Sequence, residues 1–154
     1  MIMKNYEIGE LQSFLFNLVL KGKESRMRTR FIKLLENQVE LIKMERQQLI
    51  NDYALKNAQG EIVTETKEIH NKEEEIVVFP SEKEEKEAQK QIMLMMNEEF
   101  IIEETADKIE MLQILQTIIL SCDLEFTGQK AVLYDRFCQI FEDIQLLNDS
   151  DITQ

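Results

Sequence analysis

The sequence predicts a mainly α protein, a helical bundle of four to five helices with a small β-hairpin insertion. Apolar residues recur at spacings of three and four over most of the chain, and only four Gly and one Pro interrupt them. One β-branched stretch in the middle changes this pattern. The 154 residues fit a single domain, with a helical core over 7–55 and 105–147 and a hairpin and acidic helix over 56–104.

The N-terminal third predicts two helices. Apolar residues follow helical spacing from Ile8 to Val19, and the first helix is expected to stop at Gly22, because glycine is a common helix C-terminal signal. A second helix is predicted from near Ser25 to Tyr53, a stretch without Gly or Pro. It would be roughly 45 Å long.

The middle of the chain predicts a two-stranded hairpin. Residues 62–66 and 76–79 are rich in β-branched side chains, and His70 falls in the polar segment between them, which is typical of a hairpin turn.

A charged helix is predicted to follow the hairpin, to about Asn97. Ser81 and Glu84 have the spacing of a capping box, and the first two turns are almost wholly charged. This N-terminal half is therefore expected to be a solvated, projecting face.

The C-terminal third predicts two more helices. Residues 100–102 are too few to distinguish a strand from a helix or a connector. Thr105 is expected to cap a helix whose apolar residues, 109–120, make it the best candidate for full burial. A last helix is predicted to open at 127–128 and to carry apolar residues as far as Leu147, before a polar tail.

Charge is distributed unevenly and limits the class of partner. The net charge is −12, and residues 61–104 hold fourteen acids against five Lys and Arg. This makes attraction to nucleic acid or to an anionic membrane unfavourable and a basic protein surface the expected partner. The sequence shows no run of eighteen apolar residues and no signal-peptide pattern at its start, so we expect a soluble, cytoplasmic protein.

Residue types that support catalysis are scarce. His70 is the only histidine, and it lies in the predicted turn rather than beside a nucleophile. Cys122 and Cys138 stand sixteen residues apart inside apolar segments, which fits reduced core thiols better than a disulfide or zinc site. No phosphate-binding, dinucleotide-binding, nucleophile-elbow or zinc-protease string occurs. We therefore expect no catalytic residue, no metal and no cofactor.

Two glutamate doublets, at 98–99 and 103–104, leave a metal-binding alternative open. In a helix, Glu99 and Glu103 would stack one turn apart and offer hard oxygen ligands to Mg²⁺ or Ca²⁺. The segment lacks the acidic loop and glycine of an EF-hand. A carboxylate-dependent metal enzyme is accordingly the third functional alternative.

One basic patch is predicted at the start of the second helix. Arg26, Arg30 and Lys33 would share a helix face, and cations there oppose the helix dipole. An anion should compensate them, either the acidic middle of the chain, a phosphate or an acidic partner. Direct nucleic-acid binding is disfavoured because the whole chain repels phosphate backbones.

The acidic stretch from Glu61 to Glu104 supports the preferred hypothesis. Carboxylates on its projecting hairpin and helix could reproduce part of the charge pattern of a nucleic-acid backbone and occupy a basic groove on a protein that handles DNA or RNA. The competing interpretation is a solvated face that only keeps the protein soluble. The predicted partner-binding face consists of Glu82, Glu84, Glu85 and Glu87.

The string LKGKESRMRTRFIKLLENQ, the acidic middle and the C-terminal FTGQKAVLYDRFCQIFEDI resemble a family of small uncharacterised proteins from phages and prophages of Gram-positive bacteria. Gly22, Ser25, Arg26 and Arg30 are its local elements. The resemblance implies a phage-encoded protein inside a host cell and brings no catalytic residue.

The preferred function is a non-catalytic acidic protein that occupies a surface of a host protein and inhibits a nucleic-acid-handling or defence enzyme. The alternative is an assembly or replication accessory factor that self-associates through its helices.

Overall fold

The computed structural model describes residues 1–144 and confirms the predicted fold class. Its described part forms five α-helices and two short antiparallel strand pairs. The helices are α1 (Ile8–Asn17), α2 (Gly22–Tyr53), α3 (Glu82–Met96), α4 (Ile109–Leu120) and α5 (Gln129–Glu142). The strands are β1 (Ile2–Lys4), β2 (Thr64–Ile69), β3 (Lys72–Val77) and β4 (Glu99–Ile101), and a 3₁₀ turn covers Asn5–Glu7.

The chain divides into two compact units. Within the described residues, the first comprises 1–39 and 99–144, and the second comprises Glu40–Glu98. The first boundary therefore falls inside α2, earlier than the expected division at residue 56, because one continuous helix supplies residues to both units. The expectation of a single domain stays a prediction.

The first unit contains the main apolar core. Phe31 of α2 and Phe141 of α5 are fully buried, with ring centroids 5.8 Å apart. Bonds to backbone carbonyls also join α4 and α5, because Tyr134 Oη donates to Ile119 O at 2.8 Å and Gln116 Nε2 donates to Phe141 O at 2.8 Å. The other large side chains with almost no exposure are Met3, Ile8, Leu11, Leu15, Leu35, Leu112, Leu115, Ile119 and Ile140.

Residues 99–101 form a strand. The sequence had left a strand, a helix and a connector open for residues 100–102. Strand β4 pairs antiparallel with β1, with Met3 opposite Phe100 and Ile2 opposite Ile101. Met3 is buried whereas Ile2 and Ile101 are exposed, so the alternation of the strand places one face toward the interior. Three residues could not reveal this from spacing alone, because the pairing partner lies at the other end of the sequence.

The predicted role of Gly22 is wrong. Helix α1 ends at Asn17, and Gly22, with φ +51, is the first residue of α2. The carbonyls at the end of α1 are instead satisfied by a side chain, since the Arg28 guanidinium donates to Leu18 O and, at 3.5 Å, to Leu15 O. A basic side chain near a helix C-terminus removes the need for a glycine cap.

The C-terminal helices agree with their apolar spacing, apart from their ends. Thr105 O accepts bonds from Lys108 N and Ile109 N, so Thr105 opens a turn that precedes α4 rather than α4 itself. Full burial of α4 is also wrong, because Leu120 is 43% exposed. Gly128 is the N-cap residue of α5, as predicted. Helix α5 ends at Glu142, with Asp143 as its C-cap, which is earlier than predicted; Leu147 lies outside the described residues.

The second unit contains the predicted hairpin. His70 and Asn71 connect β2 to β3, and both have positive φ, 50 and 61, as a two-residue type I′ turn requires. The base of the hairpin is closed where Leu55 N donates to Val78 O and Val63 N donates to Leu55 O, at 2.8 and 2.9 Å.

Helix α3 begins with the predicted cap. Ser81 Oγ accepts a bond from Lys83 N at 3.2 Å and donates to the Glu84 carboxylate. The glutamate thus reaches the serine hydroxyl, and the spacing of a capping box correctly located the start of the helix.

Candidate functional site

The two faces of the hairpin differ in charge. Side chains alternate along a strand, so the register Glu68↔Glu73 and Thr66↔Glu75 places Glu68, Glu73 and Glu75 on one side. We call these three residues the acidic face. Its remaining members, Thr64, Thr66 and Val77, are uncharged, and Glu68, Glu73 and Glu75 are all exposed.

The opposite face of the hairpin is balanced. Lys67 lies directly opposite Glu74, and Lys67 Nζ is 3.9 Å from Glu65 Oε2. Lys72 is on the same side, so two cations meet two carboxylates there, together with the half-buried Ile69 and Ile76. The asymmetry between the faces comes entirely from the alternation of residues in two short strands.

The acidic face carries unrelieved repulsion. Glu68 and Glu73 are direct cross-strand neighbours, and like charges in that position destabilise a strand pair. Glu75 adds a third carboxylate two residues along β3 on the same side. A cation bound at this face would therefore be attracted by the three carboxylates and would also reduce the repulsion between them.

The four glutamates predicted to bind a partner do not form one face. Glu82 and Glu85 are exposed, whereas Glu84 and Glu87 are half-buried on the side of α3 that carries the buried Ala88. At 3.6 residues per turn, positions 82 and 84 point in nearly opposite directions. Helical geometry therefore separates the set into two pairs.

Three of these four glutamates contact side chains of α3 or of its N-cap residue. Glu82 Oε1 forms an ion pair with Lys86 Nζ at 2.7 Å, and Glu87 Oε1 accepts a hydrogen bond from Gln91 Nε2 at 2.9 Å. The hydrogen bond from the Ser81 hydroxyl lowers the pKa of the Glu84 carboxyl. At the start of α3, Lys86 therefore neutralises Glu82, and Glu84 takes part in the helix cap with Ser81.

The predicted basic patch lies on α2, with Arg26, Arg30 and Lys33 all exposed. One acidic residue close to this patch is Glu110 of α4, which forms an ion pair with Lys23. The hydrogen bond and charge of Lys23, together with the charge of Arg30, lower the pKa of the Glu110 carboxyl. Part of the expected anionic compensation therefore comes from α4.

The residues considered for catalysis are dispersed. His70 is exposed in the hairpin turn, whereas Cys122 and Cys138 are half-buried free thiols in the first unit. Burial raises the pKa of Tyr134 to about 12, with further contributions from Cys138 and Cys122. The Tyr134 hydroxyl already donates to a backbone carbonyl, so it is poorly suited to proton transfer near neutral pH.

The glutamate doublets do not have the arrangement that the metal alternative assumed. Glu99 is in strand β4 rather than a helix, and its Oε1 is 3.2 Å from Lys4 Nζ. Glu104 Oε1 accepts a bond at 2.8 Å from the amino group of Met1. Within residues 1–144, no group of three or more His, Cys, Asp or Glu is placed to hold a metal ion.

An aromatic cleft of about 330 Å³ lies in the first unit. The ring of Phe14 is 5.3 Å from that of Phe137, and Phe126 stacks on Tyr134 at 4.4 Å. The same residues close the end of α1 against α5, so the cleft is explained by packing at the edge of the core.

The acidic face escaped the sequence analysis, which singled out the start of α3 instead. The signal that could have revealed it is the pair His70-Asn71, since both residue types tolerate positive φ. A two-residue turn at that point fixes the register of the whole hairpin, and the register separates Glu68, Glu73 and Glu75 from the lysines.

In the described part of the chain, no helix is both long enough and apolar enough to cross a membrane. Comparison of the chain with protein-family models, with curated proteins and with solved structures found no match. The surfaces described above therefore carry the functional assignment.

Proposed function

We propose that this chain is a non-catalytic binding protein that occupies a basic surface of another protein through the acidic face of its hairpin. The observation that supports this function is the charge asymmetry of the hairpin. Glu68, Glu73 and Glu75 share a side without a cation, whereas the opposite side balances its carboxylates with Lys67 and Lys72. The α3 glutamates then have a secondary role.

Electrostatics favour this type of contact. A net charge of −12 attracts a basic partner over a distance and raises the association rate, with a strong dependence on salt. On contact, a lysine or arginine placed over the acidic face relieves the repulsion between Glu68 and Glu73. Both effects require a cationic surface, which is typical of proteins that handle nucleic acids.

The resemblance to phage and prophage proteins suggests where such a partner would be found. On this resemblance the chain would act in the cytoplasm of a bacterial host, and its partner would be a host enzyme of nucleic-acid handling or defence. Occupation of its basic groove would exclude the nucleic acid and so inhibit it.

Self-association is the second candidate, and exposed apolar side chains favour it. Met44 on α2 and Met93 on α3 are 70% and 66% exposed, and Leu94 is 55% exposed. Apolar side chains of this size on helix surfaces often belong to an interface when they are contiguous. Light scattering after size exclusion distinguishes the two candidates, because a self-associating factor forms a defined multimer without any partner.

The experiment is a capture of host-lysate proteins on the immobilised chain at low and high salt. We expect a basic protein to be retained at low salt and released at high salt, because exposed charge pairs are screened. The test variant is Glu68→Gln/Glu73→Gln, which removes the cross-strand pair of the acidic face. The matched control, Glu65→Gln/Glu74→Gln, removes carboxylates from the opposite face of the same hairpin.

The proposal predicts that the test variant loses the captured protein and that the control keeps it. Equal retention by the wild type and the test variant, or retention indifferent to salt, would rule out the acidic face as the contact. Equal loss in both variants would show that only total charge matters.

A further inference from the structure

Strand β3 has a free edge whose orientation is fixed by the turn. A two-residue turn joins Ile69 to Lys72, so these residues form a hydrogen-bonded pair of the antiparallel ladder. Pairs of this kind alternate with non-hydrogen-bonded ones, which makes Lys67↔Glu74 hydrogen-bonded and Glu68↔Glu73 not. The backbone groups of Glu73 and Glu75 therefore point away from β2, and within residues 1–144 β3 pairs with β2 alone.

The free edge and the acidic face belong to the same residues. Glu73 and Glu75 direct their N–H and C=O groups outward along the edge, and their side chains lie on the acidic face. A strand added beside β3 would form hydrogen-bonded pairs with these two residues. Its side chains opposite them would then lie on the acidic face, in contact with the two carboxylates.

We propose that the edge of β3 accepts an extended, lysine- or arginine-bearing segment of the partner protein as a third strand. This inference rests on the proposed function and specifies its geometry. Main-chain bonds to Glu73 and Glu75 supply affinity, and cations at every second position of the segment supply specificity. The recognised pattern is a cation alternating with a β-branched or other strand-forming residue.

A second copy of this chain is a poor occupant of the same edge. Residues 73–75 are three consecutive glutamates, so every register centred on them places glutamate opposite glutamate. Like charges directly opposite destabilise a strand pair, and charged edges are a known defence against self-pairing. The same charges that exclude another copy favour a basic strand.

The hairpin also has a structural reason to accept a third strand. An isolated pair of strands is only marginally stable in water, and every residue from Glu73 to Glu75 is exposed. A third strand would bury one edge of the hairpin and neutralise its charge at the same time.

The experiment uses a defined probe, a synthetic peptide of alternating lysine and valine, with the full chain. Binding is measured by titration, and hydrogen exchange is followed by NMR at individual amides of β3. We expect the amides of Glu73 and Glu75 to become protected. The amide of Glu74 already faces β2, so its exchange should change much less.

The decisive control is the same peptide with its lysine backbone nitrogens methylated. It keeps every charge but loses the donors that face β3, so we expect about tenfold weaker binding. Equal binding of both peptides without protection of Glu73 and Glu75 would overturn strand addition and leave charge-only contact through the acidic face intact. No binding of the parent peptide would also overturn strand addition.

A second comparison separates this inference from the proposed function. The variant Glu68→Gln/Glu73→Gln/Glu75→Gln keeps the edge but removes the acidic face. If it binds the parent peptide as tightly as the wild type does, the acidic face is not a contact and both proposals fail. The comparison of the parent peptide with the methylated peptide uses the wild-type chain only, so the test of strand addition does not depend on how the variant folds.

Discussion

Glu7 and Arg136 form a two-pronged ion pair although 129 positions separate them in the chain. Arg136 Nε is 2.6 Å from Glu7 Oε1, and Nη2 is 3.2 Å from Oε2. Lys4 N donates to the same carboxylate at 2.7 Å, and the Glu7 side chain is only 7% exposed. The pair therefore fastens the turn before α1 to helix α5 inside the first unit.

Removal of the arginine should destabilise the protein. In Arg136→Met, the buried Glu7 carboxylate keeps only its backbone donor, and we expect a loss of about 1–3 kcal/mol in the free energy of unfolding. The loss should lie below that of a fully buried pair because Arg136 is 41% exposed. Urea denaturation measures it, and Arg136→Lys, which cannot form both bonds, should be intermediate. A variant as stable as the wild type would contradict this role.

The same pair predicts a dependence of stability on pH. Burial alone would raise the pKa of the Glu7 carboxyl, but the hydrogen bonds from Arg136 and Lys4 N outweigh burial, and the pKa lies below 4.5. A lowered folded-state pKa means that the stabilisation is present above the unfolded value and is lost as the pH falls through the folded one.

The free-energy difference between the wild type and Glu7→Gln should therefore shrink as the pH falls below about 4.5. Denaturation at a series of pH values measures the difference, and the exposed Glu85→Gln variant controls for the change in net charge. A difference that stays constant down to acid pH would be inconsistent with the ion pair.

Local signals predicted most of the fold. Helical spacing located α2 and α5 because apolar residues recur on one side of each helix, and the spacing of Ser81 and Glu84 located the start of α3. The end of α1 was misplaced because its carbonyls are satisfied by Arg28, a residue of the next helix, and no pattern within α1 reports that bond.

Pairing between distant segments was beyond the sequence. The contact between Glu7 and Arg136 and the pairing of β1 with β4 depend on how helices pack. The acidity of the middle segment was visible from composition, but the division of the hairpin into an acidic and a balanced face depends on register. A shift of one residue exchanges the faces.

The cap of α3 predicts different effects for neighbouring glutamates. Ser81→Ala removes the acceptor for Lys83 N and should cost about 1 kcal/mol of stability. Glu84→Gln should also loosen the first turn of α3, because the carboxylate is held by the Ser81 hydroxyl. Glu85→Gln should leave that turn unchanged. Hydrogen exchange at the first amides of α3 measures all three, and equal exchange in Glu84→Gln and Glu85→Gln would contradict the cap.

Arg28 should be a stabilising residue rather than part of a binding patch. Its guanidinium donates to carbonyls at the end of α1 and, at 3.2 Å, to Ser25 Oγ. Arg28→Met removes this donor from Leu18 O and Ser25 Oγ, whereas Leu15 O keeps its bond from Leu18 N, so we expect a loss of about 1–2 kcal/mol. The neighbouring Arg26→Met removes an exposed arginine and should change stability by no more than about 0.5 kcal/mol. Thermal denaturation compares them, and equal effects would contradict the assignment.

Reversing one charge on the acidic face should stabilise the hairpin while it weakens partner binding. In Glu68→Lys, a cation faces Glu73 across the strands, and replacement of repulsion by attraction should add about 0.2–1 kcal/mol to hairpin stability. Slower hydrogen exchange at the inward-facing amides of Lys67 and Glu74 would report the gain.

The matched reversal on the opposite face, Glu65→Lys, should act the other way. In the wild type, Lys67 forms an ion pair with Glu65. The variant replaces this pair by two neighbouring cations, so hydrogen exchange at the amides of Lys67 and Glu74 should be faster. Binding to the host protein retained in the capture experiment should fall more for Glu68→Lys than for Glu65→Lys, although both variants change the net charge equally. A hairpin stabilised by Glu68→Lys that still binds its partner fully would show that the repulsion between Glu68 and Glu73 has no part in recognition.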